Sequence, residues 1–410
     1  MLTPRPAWSG TLERRGGACL MPTYARYPIE IAGGRGCRVM DSAGRTYLDF
    51  AAGIAVNVLG HAHPALVRAL RGACEGLLHT SNLYWTEPMV RLAERLTETA
   101  GMERVFFCNS GAEAVEAAIK TVRRARPGRE KIVVFERSFH GRTLGALSAT
   151  AQPQYQEGFA PLVPGFEAIP FGDFDAATAS VDETTQAVLV EPIQGEGGVR
   201  PAPRGWLRHL RTISDRAGAL LILDEVQCGV GRTGSFFAHQ EDEIAPDAVV
   251  AAKGLAGGLP IGALLTRGDA AQALGPGQHG STFGGGAFVA TAAHAVLDVV
   301  LGPGFLDEVR AKGEVLQKAL EEIARRREIV TEVRGRGLFR GVVLREPWAK
   351  ELVASLHELG MLAVPAGNEV LRLLPPLVIS REEIDEGVVL LDRALAAVSE
   401  RPRAPTGTRP

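Results

Sequence analysis

The sequence predicts an α/β fold: a large unit around a mainly parallel sheet, followed by a smaller α+β unit. Two observations carry that expectation. Between residues 100 and 270, short apolar runs alternate with stretches of helical periodicity, the rhythm of strand–helix–strand units. Several of those runs are apolar at every position, as strands buried on both faces must be. The 48 glycines add a third sign, because they supply sharp bends and close approaches to a ligand in the connecting loops.

Residues 1–20 and 401–410 are rich in Pro, Arg and Gly and are expected to be flexible ends. Residues 36–41, the turn Ser42-Ala43-Gly44 and residues 46–50 read as a hairpin. Leu66, Leu70 and Leu77 put a helix within 61–78. The expected central strands are 105–108, 131–135, 187–190, 220–223, 248–251 and 262–266, with helices at 112–126 and 206–217. Beyond Thr282-Phe283-Gly284-Gly285-Gly286 come helices at 290–300 and 313–327 and a strand at 341–344. The expected division is a segment 21–75 packing with the small unit, a large unit 76–299 and a small unit 300–400.

Bulk properties exclude several classes. A net charge of −2 gives nucleic acid or an anionic membrane nothing to be drawn to. No apolar run approaches the ~20 residues of a membrane helix. The basic start, MLTPRPAWSGTLERRGG, lacks the apolar stretch of a secretory signal. Five scattered cysteines without a CxxC pair point to a reducing cytoplasm, with neither disulfides nor zinc. His61-Ala62-His63 has no acid or cysteine cluster beside it, so no metal is expected there. Gly335-Arg336-Gly337 starts like a dinucleotide fingerprint, but Arg340 stands where its third glycine belongs.

The chemistry gathers after the apolar runs. The run at 220–223 ends on Asp224, and the run at 248–252 ends on Lys253. Open α/β sheets collect ligands at the carboxyl ends of their strands. An acid and a lysine held there suit pyridoxal phosphate: the lysine would link to its aldehyde, and the acid would hold its ring nitrogen protonated. Asn109-Ser110-Gly111-Ala112-Glu113 has the S-x-x-E spacing of a capping box. It is equally a phosphate cradle, with amides at a positive helix end and Gly111 allowing close approach. Phe139 is either a core residue or a face on which a pyridine ring stacks. Arg142 is either a solvated surface charge or a two-pronged carboxylate clamp. The acids of Glu191-Pro192-Ile193-Gln194-Gly195-Glu196-Gly197-Gly198 are turn residues or a gate.

Taken together these residues resemble the class III (ω-amino-acid) aminotransferases, which have the aspartate aminotransferase type of pyridoxal-phosphate-dependent fold. The resemblance spans residues 24–395 and rests on DFAAGIAVNVLGHAHP, HTSNLYWTEP, NSGAEAVEAAIK, FHGRT, VEPIQGEGGV, LILDEVQCGVGRTG, HGSTFGG and LRLLPPLVIS. Within the family the chain is most similar to the branch acting on N-acetylornithine, with 2-oxoglutarate as acceptor. Related donors are ornithine, succinylornithine, N-succinyl-diaminopimelate, 4-aminobutyrate and a carrier-bound lysine precursor. The resemblance implies that Lys253 carries the cofactor and shuttles the proton. It also implies that Asp224 pairs with the ring nitrogen and Gln227 bonds the phenolic oxygen. Val226 and Phe139 would enclose the ring, and Ser110, Gly111 and Ala112 would hold the phosphate. Thr282 would reach the phosphate of a neighbouring subunit, which makes the working unit a homodimer. Arg142 would take the donor's distal carboxylate. Arg372 would take the α-carboxylate of 2-oxoglutarate, with Glu196 covering it in the other half-reaction, and Tyr84 and Trp85 would line the pocket. The chain departs from the family where Gly286-Ala287-Phe288 replaces the usual Asn-Pro-Leu, and where Gly254 replaces an alanine after the lysine.

Overall fold

The structure, a computed structural model, describes residues 11–400. Residues 1–10 and 401–410, both within the ends expected to be flexible, lie outside the described residues. Residues 11–20 include a short exposed helix, Leu12–Gly17, capped by the Thr11 hydroxyl.

Seven strands form the central sheet. Their spatial order is Arg104–Cys108, Gly262–Thr266, Ala248–Ala251, Leu220–Asp224, Thr185–Val190, Lys131–Phe135, Phe166–Ile169. All neighbours run parallel except around Gly262–Thr266, which is antiparallel on both sides. The reversal has a simple cause. Residues 252–261 are too few for the crossover of a dozen or more residues that a parallel return needs. Phe166–Ile169, which the sequence reading passed over, is an edge strand with only its last residue buried.

Successive side chains point to opposite faces of a strand, and both faces here are covered. Ile132 and Val134 pack with Leu189, Ile222, Val250 and Leu264 beneath helix Gly111–Ala125. Val133 and Phe135 pack with Val188, Val190, Leu221 and Leu223 beneath helix Trp206–Ala217. This double coverage is why the runs are apolar throughout. Helix Trp206–Ala217 stops at Gly218, whose left-handed φ of 65° terminates it at no steric cost.

Behind this layer, Val330–Arg336, Phe339–Leu344, Val370–Leu373 and Val364–Pro365 form an antiparallel sheet. It packs with helices Phe305–Arg326, Ala349–Leu359 and Arg381–Ser399. The N-terminal strands Ile31–Arg35, Arg38–Asp41 and Thr46–Asp49 form a second small sheet, completed by Met361–Leu362 running parallel to Thr46–Asp49. The helix expected within 61–78 is shorter, Pro64–Cys74, with Pro64 opening it and His63 as its cap. His61 bonds Asp49 at 2.8 Å, so both histidines of the His-Ala-His segment have structural partners. No single helix among the described residues is long and apolar enough to cross a membrane.

Candidate active site

The parallel strands all present their carboxyl ends at one edge, and the loops that follow meet there around a cleft of ≈ 430 Å³. Asp224 ends one strand, and its register partner is Val250 on the next, three residues before Lys253. Ser110, Gly111 and Ala112 follow Arg104–Cys108, while Phe139, His140 and Arg142 follow Lys131–Phe135. Together with Val226 and Gln227, all of these line the same cleft as Asp224 and Lys253.

Asp224 is 4% exposed. Its Oδ1 accepts from the Val226 amide at 3.0 Å, and its Oδ2 lies 2.7 Å from His140 Nδ1. His140 Nε2 is buried without a partner among the described residues. Glu191 sits beside them. Its two oxygens accept from the amides of Phe139 at 2.9 Å and Gly195 at 3.1 Å, tying the loops that carry Phe139 and Glu196 to one side chain. Burial pushes the Glu191 carboxyl up to about 7, and Asp224 adds to the rise while His140 and the two amides oppose it.

Lys253 opens a single 3₁₀ turn, Lys253–Ala256, with a left-handed φ of 41°. Such a backbone costs a non-glycine residue ~1–3 kcal/mol and persists only where its surroundings hold it. Burial lowers the Lys253 pKa; Glu196 opposes this and Arg372 adds to it. Gly254 follows for a packing reason, since a Cβ there would lie 2.6 Å from Val58 Cγ1. The departure from the family's alanine at this position is thus a matter of close approach within a turn. Gly254→Ala should cost ~1–3 kcal/mol by overpacking. Val58→Ala in the same chain should return part of that loss, as coupled neighbours do. Urea unfolding of the two singles and the double checks it, and simple additivity would refute the contact.

Ser110 caps helix Gly111–Ala125, its hydroxyl accepting from the Glu113 amide at 3.2 Å. The capping box is shifted: Glu113 reaches back to the Asn109 amide at 2.6 Å rather than to that of Ser110. At the helix start the amides of Gly111 and Ala112 have no carbonyl a turn earlier in the helix to bond. The glycine at 111 also serves packing, because a Cβ would meet both methyls of Val226 at 2.9 Å.

Arg372 lies on Val370–Leu373 and is 2% exposed. Its Nη1 donates to Glu196 Oε1 at 2.6 Å and to Gln227 Oε1 at 2.7 Å. Burial alone would raise the Glu196 pKa, yet Arg372 and Lys253 bring it below the ordinary value. Gln227 thus has its carbonyl oxygen turned to Arg372, leaving Nε2 as its free donor save for a 3.5 Å contact with Glu196. Arg142 is exposed and lies over Tyr155, its guanidinium carbon 3.9 Å from the ring centre.

Of the expected residues, Glu196 and Arg372 join the cleft through Gln227 rather than lining it, and three others stand apart at the surface. Tyr84 is 68% exposed and Trp85 89%. Thr282 is exposed as well, beside Phe283 at 65%. Asn82 donates to the carbonyls of Ser281 and Gly284 at 2.8 and 3.0 Å, so these residues form one surface patch. The sequence reading missed His140 as the partner of Asp224. The residue was visible in the Phe139-His140-Gly141-Arg142 segment, but pairing it with an acid on another strand needs the fold.

Pyridoxal phosphate suits this cleft. A buried carboxylate faces it, free amides stand at a helix start, and Phe139 and Val226 offer apolar surfaces between them. The family pattern described as Aminotransferase class-III matches residues 21–395. Acetylornithine aminotransferase 1 of Bradyrhizobium diazoefficiens is 47% identical over 386 residues, 93% of this chain and 95% of that protein. Among solved structures, N-acetylornithine aminotransferase of Stenotrophomonas maltophilia K279a has a TM-score of 0.81 at 39% identity. It covers 92% of this chain and 98% of its own. The ornithine aminotransferase of Toxoplasma gondii, with partial occupancy of PLP at its active site, has a TM-score of 0.90 at 33% identity. It covers 95% of this chain and 94% of its own.

Proposed function

The chain belongs to the class III aminotransferases, and from that premise we propose that it moves the terminal amino group of N-acetylornithine to 2-oxoglutarate. The products are N-acetylglutamate 5-semialdehyde and glutamate, and the step belongs to arginine biosynthesis. Relatives named for acetylornithine, at 45–48% identity over most of the chain, support this donor. The cofactor is pyridoxal 5′-phosphate. When bound it supplies an aldehyde to accept the amino group and a protonated ring to draw electrons from the reacting carbon.

The residues divide the remaining work. Gly111 and Ala112 would donate their amides, and Ser110 its hydroxyl, to the phosphate. Phe139 and Val226 would enclose the ring, and Asp224, steadied by His140, would keep its nitrogen protonated. Gln227 Nε2 would donate to the phenolic oxygen. Lys253 Nζ, its pKa lowered chiefly by burial, is suited to take a proton from the carbon beside the transferred nitrogen and to return it to the carbon on the other side of that nitrogen. Arg142, held on Tyr155, would clamp the donor's carboxylate.

The observation that carries the assignment is the Arg372–Glu196 pair. A buried guanidinium is covered by an acid on a glycine-rich loop, at 2.6 Å. Covered, the site presents no second charge to a donor with one reachable carboxylate. Uncovered, it binds the α-carboxylate of a dicarboxylic acceptor.

Leu83, Tyr84, Trp85 and Phe283 are large, exposed and adjacent to Thr282. An apolar patch of this kind favours an interface, which supports a homodimer with Thr282 reaching the partner's phosphate and Tyr84 lining the partner's pocket. The free cysteines among the described residues support a cytoplasmic location.

Steady-state kinetics across amine donors tests the function. N-acetylornithine should give the highest kcat/KM of N-acetylornithine, ornithine, succinylornithine, N-succinyl-diaminopimelate and 4-aminobutyrate. A better donor among the others would replace the proposed substrate while leaving the class intact.

A further inference from the structure

The wall formed by Arg372, Glu196 and Gln227 has a second side. Gln227 lines the inner cleft, while Glu196 lines a separate outer cavity of ≈ 510 Å³. Three arginines line that outer cavity: Arg137, Arg200 and Arg334. Arg334 is committed, since it donates to the Gly198 carbonyl at 2.9 Å and pairs with Glu332 at 3.0 Å. Arg137 and Arg200 have no side-chain hydrogen bond or ion pair among the described residues. Arg200 is half-buried, and burial together with the charges of Arg137 and Arg334 holds its guanidinium below the ordinary value. Two uncommitted cations, close enough to disfavour one another, are relieved by an anion.

The gate loop is seated between the two cavities. A Cβ at Gly197 would lie 2.5 Å from the Arg137 carbonyl oxygen, and Gly195 is pressed as closely on Gln227. Glu196 therefore sits between an inner wall ending at Lys253 and an outer wall ending at Arg137. Its carboxylate is what stands between the outer cavity and the Arg372 guanidinium.

We propose that this outer cavity is a vestibule for dicarboxylates, in which Arg137 and Arg200 capture the acceptor and deliver it to Arg372 as Glu196 moves aside. It rests on 2-oxoglutarate being the acceptor. Charge makes the vestibule selective between the two substrates of one enzyme. 2-Oxoglutarate is a dianion, whereas N-acetylornithine, with one carboxylate and one ammonium, carries no net charge. A cationic cleft raises the association rate of the former and leaves the latter nearly untouched. The acids nearby do not cancel it: Glu196 is paired with Arg372, Glu332 with Arg334, and Glu369 is exposed at the rim.

The test compares half-reactions of the holoenzyme by single-turnover absorbance of the cofactor, in wild type and in the double variant Arg137→Gln/Arg200→Gln. The second-order constant for 2-oxoglutarate should fall about tenfold, within the range by which charged clefts accelerate binding. Its limiting rate should hold, and its sensitivity to salt should shrink. The constant for N-acetylornithine should move far less. An unchanged 2-oxoglutarate constant, or equal losses in both half-reactions, overturns the vestibule. Should the wild type fail to react with 2-oxoglutarate, the acceptor assignment falls and the vestibule with it. If the double variant does not fold, Arg137→Gln alone, at an exposed position, should lower the constant roughly threefold, and no change overturns the proposal.

Discussion

Lys253→Ala should abolish turnover, lowering kcat by about 10⁴-fold or more, and should remove the absorbance of the lysine-linked cofactor. The expectation follows from position and chemistry together. Lys253 is the amine that ends a central strand inside the cleft, two residues beyond Ala251. Among the described residues, no second lysine lines the cleft to replace it. Its backbone is already left-handed, and alanine inherits that strain rather than adding to it. The variant should therefore fold. Wild type and variant should both sediment at twice the 43.6 kDa chain mass. An unchanged cofactor spectrum in a folded variant would refute the assignment of Lys253. A monomer in both proteins would refute the homodimer without touching the lysine.

Arg372→Ala should cost the 2-oxoglutarate half-reaction most, by ~3–5 kcal/mol, or roughly 10²- to 5 × 10³-fold, the usual range for breaking a buried charge pair. Arg372 is almost wholly buried, with Glu196 and Gln227 its principal partners. Removing it takes away the anchor proposed for the acceptor and leaves Glu196 without its counter-charge. The amine half-reaction should lose less, because its carboxylate is assigned to Arg142. A pH signature accompanies the loss. Burial is the main cause of the lowered Lys253 pKa, and Arg372 contributes in the same direction while Glu196 opposes it. Without Arg372 the lysine holds its proton to higher pH. The base must be neutral to act, so the acid limb of the amine half-reaction should move upward. Single-turnover rates against pH for both halves provide the check. Equal losses in both, with an unmoved limb, would count against the gate.

Much of the fold was legible because burial on both faces leaves an unbroken apolar run. The Leu220–Asp224 strand shows it, with every residue buried between two helical layers. Phe166–Ile169 escaped notice because an edge strand is covered less and its composition shows less. The reversed strand Gly262–Thr266 was visible as a strand, though not as antiparallel. Its direction lay in the shortness of residues 252–261, a constraint of chain length rather than composition.

The site divides along the same line. By itself the sequence determined the chemical parts and their order: an acid and a lysine ending two strands, a capped helix start, and an acid among glycines. These are local properties, set by residue type and by what each residue follows in the chain. Only the tertiary structure decided what each part touches. His140 meets Asp224, Glu191 ties the Phe139 loop to the Glu196 loop, and Val58 leaves no room beside Lys253 for anything but Gly254. Arg372 comes from another sheet to meet Glu196, with Gln227 as their shared wall. Such contacts join residues far apart in the chain through short-range forces of a few ångströms, so they exist only once packing has fixed the distances.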